Sequence, residues 1–395
     1  MTDFDATRRA FHLPEGVTYL DGNSLGPMPR VAADRVAAMM SDEWSQMLIT
    51  GWNRAGWYRQ PRDVGDRIAR LIGAGAGQVV MGDTLSIKVF QALSAALAMR
   101  PDRRVILSDS GNFPSDLYVA EGVARAMGAT LRVVAPEDVA AAIGDDIAVL
   151  MLTEVDYRTG RRHDMADLTA RAHRAGALTV WDLAHSAGAV DLDLIGADAD
   201  FAVGCTYKYL NGGPGAPAFI WTRPDLTDAA QPILQGWMGH ERPFAFDASY
   251  APAPGIERMR VGTPPVIALA VLDAALDVWD GVSMADLRAR SILLTEAFIA
   301  GVEAECPGLV LHSPRDPSLR GSQVGFRHPQ AYAVMQALIA EGVIGDFRAP
   351  DVLRFGFAPL YNDMDDVARA VAVLARILRD GSWDRPDFHH RAAVT

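Results

Sequence analysis

The chain has 395 residues, which is enough to bury a large core and to divide into two or three domains. Its hydrophobic content of 50% excludes a disordered protein, and its formal net charge of −12 disfavours nucleic acid and anionic membranes as partners. Two cysteines are too few for a disulfide framework or a structural zinc site. The sequence also shows neither an apolar signal-peptide core nor the roughly 20 apolar residues that span a bilayer. These features predict a cytoplasmic protein without a metal.

Between about residues 75 and 225, short apolar strand patterns alternate with amphipathic helical patterns, as is typical of parallel βαβ units. The predicted strands cover residues 104–107, 130–134, 147–152, 178–181, 201–205 and 218–221, and the predicted helices cover 85–99, 116–127 and 165–175. Such a doubly wound sheet binds its ligands beyond the carboxyl ends of the strands. Asp109, Thr153, Asp182 and the pair Tyr207 and Lys208 all follow or end such strands, which predicts one site at that edge.

A stretch rich in Pro and Gly at 251–257 precedes a long helical pattern at 265–279, which would carry the chain into a second lobe. Beyond it, strand patterns at 309–312, 323–327 and 352–357 occur together with helical patterns at 332–340 and 364–378. The C-terminal part is therefore expected to form a smaller α+β lobe.

Lys208 follows a strand-like apolar run and stands in a loop of small and polar residues. A lysine there can hold an aldehyde cofactor such as pyridoxal phosphate (PLP), provided that it is desolvated enough to react as a neutral amine. Asp182 ends the preceding predicted strand, where a buried carboxylate would keep the cofactor ring nitrogen protonated. His185 would contact the cofactor or orient Asp182. Taken singly, the three residues also fit a surface lysine, a helix N-cap and a polar turn residue.

The cofactor phosphate requires hydroxyls and free backbone N–H groups, which a helix N-terminus supplies. The helix predicted from residue 85 offers Leu85 and Ser86, while Thr84 would cap it, and the two roles are compatible. Phe113, held in its loop by Pro114, is the candidate aromatic face against the cofactor ring, with an ordinary core phenylalanine as the alternative.

Arg354 lies in an otherwise apolar strand pattern, where an unpaired guanidinium would be costly. A bidentate contact with the carboxylate of an amino-acid substrate would remove that cost. The alternative is an arginine on the solvent face of an edge strand.

With these residues in view, the chain resembles kynureninase, particularly the bacterial form, a fold type I PLP enzyme of the class V aminotransferase-like superfamily. The resemblance covers nearly the whole length and rests on the segments at 20–29, 113–116, 181–189, 205–214 and 353–361. It implies a large PLP-binding domain at residues 51–265 with a mainly parallel seven-stranded sheet, and a small α+β domain at 266–395. Residues 1–50 would contribute to the small domain and to the active site.

The resemblance also implies hydrolysis of L-kynurenine to anthranilate and L-alanine in tryptophan catabolism, by a homodimer with its active site at the subunit interface. The residues that it assigns to the cofactor are Leu85, Ser86, Phe113, Pro114, Ser115, Asp116, Thr153, Asp182, His185, Tyr207, Lys208, Trp237 and Thr263. The last two would be supplied by the partner subunit. The residues that it assigns to the substrate are Arg354, which would hold the carboxylate, Asn23, Ser24 and Trp52.

In the implied reaction, Lys208 anchors the cofactor and, once the substrate has displaced it, removes the proton from the substrate Cα. Water then adds to the γ-carbonyl, the Cβ–Cγ bond breaks, and Tyr207 protonates Cβ of the alanine fragment. Trp52 and Thr263 stand where animal enzymes that prefer 3-hydroxykynurenine carry His and Asn. A ring hydroxyl would be desolvated without a polar partner there, which predicts a preference for unsubstituted kynurenine.

The nearest alternative is an enzyme like cysteine desulfurase or selenocysteine lyase on the same fold, which needs a mobile cysteine in a loop well after the lysine. Cys306 is the only later cysteine, and it follows a helical pattern at 298–305 rather than a loop rich in Ser and Gly. A non-catalytic PLP-binding regulator would carry a DNA-binding module, and the sequence shows no helix-turn-helix extension and no basic element of that kind.

Overall fold

The structure is a computed structural model that describes residues 1–391. Its strands are β1 (Thr18–Tyr19), β2 (Val79–Met81), β3 (Val105–Asp109), β4 (Thr130–Val134), β5 (Ile147–Thr153), β6 (Leu178–Asp182), β7 (Phe201–Gly204), β8 (Phe219–Thr222), β9 (Val310–Leu311), β10 (Gln323–Arg327), β11 (Val343–Ile344), β12 (Asp346–Arg348) and β13 (Val352–Gly356). Its α-helices are α1 (Phe4–Arg9), α2 (Arg30–Ala38), α3 (Ser45–Met47), α4 (Gly51–Arg54), α5 (Gln60–Ala69), α6 (Leu85–Ala98), α7 (Pro114–Met127), α8 (Val139–Ala142), α9 (Met165–Ala175), α10 (Val266–Ala275), α11 (Met284–Glu305), α12 (Ala331–Ala340) and α13 (Met364–Asp380). Across these described residues, no helix combines the length and the apolar character needed to cross a membrane.

Seven strands form the main sheet, in the order β2-β8-β7-β6-β5-β3-β4. Strands β7, β6, β5, β3 and β4 are parallel, whereas β8 and β2 pair antiparallel with their neighbours. Successive residues face different cores: Ile106 and Val149 pack on one side of the sheet, and Leu107 and Leu150 pack on the other. Burial on both faces explains why these strands have nearly continuous apolar sequences. The predicted α/β sheet of seven mainly parallel strands is confirmed.

The predicted strands of this sheet agree with the observed ones to within two residues at either end. Because β3, β5, β6 and β7 are parallel, their carboxyl ends meet at one edge, and Thr153 is the direct neighbour of Asp182 across β5 and β6. Strand β2 was not predicted, because three apolar residues are too few to show a pattern. Thr153 and Asp182 thus meet at the edge where the site was expected, whereas the carboxylate of Asp109 lies 2.6 Å from Nε2 of His163 instead.

A second sheet is antiparallel, in the order β12-β13-β10-β9, and packs with α11, α12 and α13 around its own core. Strand β1 pairs in parallel with β11, and Asp21 bridges to Gly356, so the N-terminal segment lies against this second lobe. The expected smaller α+β lobe is confirmed, while the division of the chain at residues 50 and 265 stays a prediction.

Candidate active site

Lys208 lies in the loop that follows β7, at the edge where the parallel strands end. Its side chain is only 9% exposed, and its Nζ lies 3.2 Å from Nε2 of His185. The same Nζ is 5.8 Å from the ring centroids of Phe113 and of Tyr207. The alternative of a surface lysine is therefore wrong, because the amine is enclosed by three of the residues predicted to accompany it.

The N-terminal segment helps to hold the loop that carries Lys208. The backbone N–H of Gly26 donates to the carbonyl of Tyr207 at 2.8 Å. A Cβ at Gly26 would lie 2.5 Å from the carbonyl oxygen of Lys208, so only glycine lets the segment pass this close. Asn211 adopts a left-handed φ of 58°, and its side-chain amide donates to the carbonyl of Tyr209 at 2.8 Å. Contacts on both sides thus fix the position of the lysine.

Asp182 ends β6 and is 2% exposed. One of its oxygens accepts a hydrogen bond from the N–H of Ala184 at 2.8 Å, and the other lies 3.4 Å from the hydroxyl of Thr153. Burial raises the pKa of Asp182. Burial and the nearby charge of Asp182 also raise the pKa of Asp116, in the first turn of α7, well above its usual range. The two carboxyl groups therefore resist carrying two negative charges, and the long Thr153 contact leaves Asp182 able to accept a further donor.

His185 and Tyr207 flank the amine in their uncharged forms. His185 is 3% exposed, and its burial, together with the charge of Lys208, lowers the pKa of the imidazole well below its usual range. Tyr207 is half-buried, and burial raises the pKa of its hydroxyl. A neutral imidazole and a protonated phenol thus supply an acceptor and a proton donor beside Lys208.

The start of α6 has the features expected of an anion site. Thr84 precedes the helix in an extended conformation, but its side chain makes no capping hydrogen bond, and the first turn contains no acidic residue. The backbone N–H groups around Leu85 and Ser86 and the positive end of the helix dipole are therefore available to a phosphate.

Phe113 immediately precedes α7, whose first residue is Pro114. Its ring packs edge-on against Tyr157 with the ring centroids 5.1 Å apart, and 38% of the residue is exposed. An ordinary core phenylalanine would be buried, so this alternative is wrong. The ring is positioned to cover one face of a ligand near Lys208.

These side chains meet around one cavity of about 250 Å³. The residues that line it are Thr84, Leu85, Ser86, Phe113, Ser115, Asp182, Ala184, His185, Cys205, Tyr207, Lys208, Gly215 and Ala216. PLP fits this set: the amine suits its aldehyde, the acceptor of Asp182 suits its ring nitrogen, and the uncapped helix start suits its phosphate. Asp116 and Thr153 do not line the cavity but adjoin Asp182, and Pro114 lies between two lining residues.

Arg354 is 1% exposed in β13, an interior strand of the second sheet, so the edge-strand alternative is wrong. The bidentate carboxylate partner that was expected from a substrate is supplied by the protein itself. Its Nε donates to Asp346 Oδ1 at 2.7 Å, and its Nη2 donates to Asp346 Oδ2. Its Nη2 also donates to Ser24 Oγ at 2.7 Å, and its Nη1 donates to the carbonyl of Tyr157. Asp346, in the short strand β12, was missed by sequence reasoning.

Tyr157 connects this group to the cofactor cavity, because its ring packs on Phe113 while its carbonyl accepts from Arg354. Asn23 is completely buried, and neither polar atom of its side-chain amide has a hydrogen-bond partner within residues 1–391. The structure thus brings Asn23, Ser24 and Arg354 together next to the cavity, and the amide of Asn23 can still form hydrogen bonds.

Besides the residues already placed next to the cavity, three predicted residues neither line it nor contact the group around Arg354. Trp52 packs edge-on against Trp57, with ring centroids 6.4 Å apart. Trp237 is 37% exposed and Thr263 is exposed. That Trp237 and Thr263 serve the partner subunit's cavity, and that Trp52 borders the substrate, both stay predictions.

A signal in the sequence could have singled out Lys208 without any motif, because the chain contains only two lysines. The other, Lys88, is fully buried in α6, where its Nζ donates to the carbonyl of Met259 at 2.9 Å and to Oε1 of Gln91 at 3.0 Å. Its amine is engaged with protein groups and does not line the cavity. Lys208 is therefore the lysine available to a cofactor.

Comparison with known proteins identifies the family of this chain. A sequence model described as the kynureninase C-terminal domain matches residues 287–374. A kynureninase from Pseudomonas fluorescens is 51% identical over 397 aligned residues, which cover 98% of this chain and 95% of that protein. The chain belongs to the kynureninase family. The resemblance inferred from the sequence, and with it the expectation of an enzyme of this family, is confirmed.

Solved structures share the fold at much lower identity. A cysteine desulfurase from Thermococcus onnurineus NA1, without ligand, has a TM-score of 0.81 at 18% identity, covering 96% of this chain and 99% of that one. A mutant of C-DES with glycine covalently linked to its PLP cofactor has a TM-score of 0.80 at 17% identity, covering 93% and 98%. These likenesses confirm the expected fold class.

The structure argues against a desulfurase-like use of Cys306. This cysteine follows α11, is 1% exposed, and belongs to the core of the second lobe. Burial raises the pKa of its thiol to about 11, so the nucleophilic thiolate is disfavoured at neutral pH.

Proposed function

We propose that this protein uses PLP to hydrolyse L-kynurenine to anthranilate and L-alanine, and that it prefers kynurenine to 3-hydroxykynurenine. The observation that carries the proposal is the amine of Lys208 in a cavity walled by Asp182 and by the uncapped start of α6, in a chain 51% identical to a kynureninase. When bound, PLP withdraws electrons from the substrate Cα and so weakens the bonds around it.

Lys208 would have two tasks, to hold the cofactor and then, as a free amine, to take the proton from the substrate Cα. His185, neutral and 3.2 Å from Nζ, can accept a hydrogen bond from the amine and orient it. Asp182 would accept the hydrogen bond from the cofactor ring nitrogen. Asp116, whose pKa is raised by burial beside Asp182, can remain protonated and so spares the site a second negative charge.

Tyr207 is the proposed acid of the later steps. Water must add to the γ-carbonyl before the Cβ–Cγ bond breaks, and the alanine fragment then needs a proton at Cβ. Tyr207 keeps its phenolic proton because burial raises its pKa, and its ring lies beside Lys208. The two neighbours would therefore divide the proton transfers, with lysine acting at Cα and tyrosine at Cβ.

Substrate recognition would depend on Arg354 for the carboxylate, with Ser24 and the unpartnered amide of Asn23 beside it. Trp52 supports the preference for the unsubstituted ring, because it belongs to a small apolar cluster with Met39 and Ala270 among its members. A hydroxyl placed there would lose water without gaining a partner, and a penalty of about 1–3 kcal/mol corresponds to about 5- to 150-fold in kcat/KM.

A homodimer is part of the proposal. Trp237, Phe244 and Phe246 are 37%, 53% and 76% exposed, and their rings pack together with centroids 5.5–6.4 Å apart. An exposed aromatic group of this kind is typical of an interaction surface. We also propose a cytoplasmic location, because both cysteines are free and buried.

The decisive experiment is to incubate the purified protein with PLP and L-kynurenine and to measure anthranilate by fluorescence and L-alanine by a coupled assay. Equal amounts of the two products are expected. Bound cofactor without anthranilate would refute the hydrolase and favour a lyase or a transaminase. A kcat/KM for 3-hydroxykynurenine that equals or exceeds the value for kynurenine would refute the preference alone.

The dimer has its own test. Mixing inactive Lys208→Ala subunits with Trp237→Ala subunits should restore part of the activity, because each mixed dimer would contain one site with both native residues. No activity above the sum of the separate variants, or a monomer by light scattering, would refute the shared site.

A further inference from the structure

A buried group of charges joins the N-terminal segment to the second sheet, and Asp346 lies at its centre. The Asp346 network consists of Ser24, Asp346, Arg348 and Arg354. Asp346 is 1% exposed and accepts hydrogen bonds from Arg354 Nε at 2.7 Å, from Arg348 Nη2 at 2.6 Å and from Ser24 Oγ at 2.8 Å. One carboxylate therefore holds two arginines and a hydroxyl.

The two edges of the Arg354 guanidinium have different partners. The edge formed by Nε and Nη2 carries the bidentate contact with the charged Asp346. The edge formed by Nη1 and Nη2 meets only neutral acceptors, the carbonyl of Tyr157 and the hydroxyl of Ser24. A substrate carboxylate can replace neutral acceptors, whereas it would have to compete with a full charge at the first edge.

The network also has an unbalanced charge. Arg348 and Arg354 are positive and Asp346 is negative, which leaves one net positive charge. Three kinds of neighbour do not balance this charge at pH 7. Burial raises the pKa of the Asp21 carboxyl to about 8, and it raises the pKa of the hydroxyls of Tyr19, Tyr209 and Tyr361. Burial also lowers the pKa of His185, which leaves that imidazole neutral. The Nε of Arg348 is buried, with no hydrogen-bond partner in the described part of the chain. An α-carboxylate would supply the missing negative charge.

We propose that Asp346 is a positioning residue of the substrate-carboxylate subsite. It holds Arg354 by the edge formed by Nε and Nη2 and keeps Arg348 beside it, so that the edge with only neutral acceptors and one net positive charge serve an α-carboxylate. The inference rests on the proposed function, because it requires an amino-acid substrate. Asp346 itself acts through the arginines and need not touch the substrate.

The test is Asp346→Asn in the PLP-loaded enzyme, which keeps the shape but removes the charge and turns one acceptor into a donor facing Arg354. We expect the KM for L-kynurenine to rise about 10- to 100-fold, the loss typical of a charge-assisted contact, while kcat changes less than about threefold. Binding of kynuramine, which lacks the α-carboxylate, should be unchanged when followed by cofactor absorbance. A merely structural role would affect both ligands alike.

A second variant keeps the test decisive if Asp346→Asn does not fold. Arg348→Gln removes one of the two cations from a side chain that is 33% exposed, and it should also raise KM for L-kynurenine without affecting kynuramine. The control is Asp351→Asn, because Asp351 makes two hydrogen bonds with Arg327, at 2.7 and 2.9 Å, at the surface of the same lobe. Its kinetic constants should stay within about twofold of the wild type, as is usual for a surface pair.

Besides an equal effect on L-kynurenine and kynuramine, two results would overturn the inference. A lower KM in Asp346→Asn would mean that Asp346 competes with the substrate for Arg354, and an unchanged KM in both variants would mean that the network does not serve the carboxylate. Failure of the wild type to release anthranilate would instead refute the proposed function. Binding of L-alanine and of kynuramine to the wild type and to Asp346→Asn, followed by cofactor absorbance, would still test the role of Asp346.

Discussion

Replacing Lys88 with methionine should remove a pH dependence from the stability of the fold. Lys88 is fully buried in α6, and its Nζ lies 3.7 Å from Asp83 besides donating to the Met259 carbonyl and to Gln91. Burial lowers the pKa of this amine from 10.5 to about 8, because the partners do not replace the lost hydration of the ammonium. Methionine has a similar length and no charge, so the substitution removes the titration while nearly conserving volume.

The size and sign of the pH effect on the free energy of unfolding follow from the difference between the folded and unfolded pKa of Lys88. A shift of about 2.5 units corresponds to about 3 kcal/mol of unfavourable free energy for keeping the charged amine in the fold. Below about pH 8 both the folded and the unfolded chain carry the proton, so the wild type bears the whole penalty. Between about pH 8 and 10.5 the unfolded chain binds more protons, and the wild type gains stability as pH rises. Relative to Lys88→Met, it should gain about 2 kcal/mol between pH 7.5 and pH 9.5.

Urea unfolding of both proteins without cofactor, followed by tryptophan fluorescence at pH 7.5, 8.5 and 9.5, measures this difference. Thr169→Val is the control, because it removes a neutral buried hydrogen bond, the 3.2 Å contact with the Trp181 indole, and should cost about 1 kcal/mol at every pH. If the free energies of unfolding of the wild type and Lys88→Met change in parallel with pH, the argument that burial controls this amine is refuted.

Three further predictions concern the site. Borohydride reduction of the PLP-loaded protein should attach the cofactor to Lys208 alone, because the amine of Lys88 is hydrogen-bonded in the interior. A labelled Lys88 peptide in the mass spectrum would contradict the assignment of Lys208 as the cofactor lysine. Asp182→Asn should lower kcat by roughly 100-fold or more with PLP still bound, a loss of the size known for one positioned electrostatic group, and wild-type kcat would exclude the proposed role. Cys306→Ala should leave kcat/KM for L-kynurenine within about twofold of the wild type, because a buried structural thiol is inert, whereas loss of turnover would favour a cysteine-dependent lyase.

The main sheet and the cofactor end of the site were predictable because they depend on local patterns. Strand β6 is buried on both faces, so its apolar run is visible in the sequence, and the carboxylate of Asp182 marks its end. The positions of Lys208 and of the start of α6 likewise follow directly from the order of strand, loop and helix, whereas the absence of a capping hydrogen bond from Thr84 was not predicted. Parallel pairing then brings separate strand ends to one edge, which is a property of the fold class and needs no knowledge of individual contacts.

The group around Arg354 was predicted only in part, since its members come from separate segments of the sequence. Arg354 stood out as a charge in an apolar strand, but its partners Ser24 and Asp346 lie 330 and 8 residues away. Strand β12 has only three residues, two of them charged, so no hydrophobic pattern marks it as part of a sheet. Antiparallel pairing of β12 with β13 places Asp346 directly opposite Arg354, and this register could not be derived from either segment alone.

The chemistry of the two kinds of cation explains their distribution in this chain. Lysine can lose its proton when it is buried, as the lowered pKa of Lys88 shows. An amine must be neutral to attack an aldehyde or to take a proton, so lysine suits that role. Arginine keeps its charge in the interior, which suits a residue that must always attract a carboxylate, but it then requires a counter-charge. Of the 37 basic residues, only Lys88 and Lys208 are lysines and both are buried, whereas the buried Arg354 is held by Asp346. If Arg354 holds the substrate carboxylate as proposed, the need for a permanent charge there explains why Asp346 is its partner. Arg354→Lys, with Asp346 intact, should then raise the KM for L-kynurenine in steady-state assays, and an unchanged KM would contradict this reasoning.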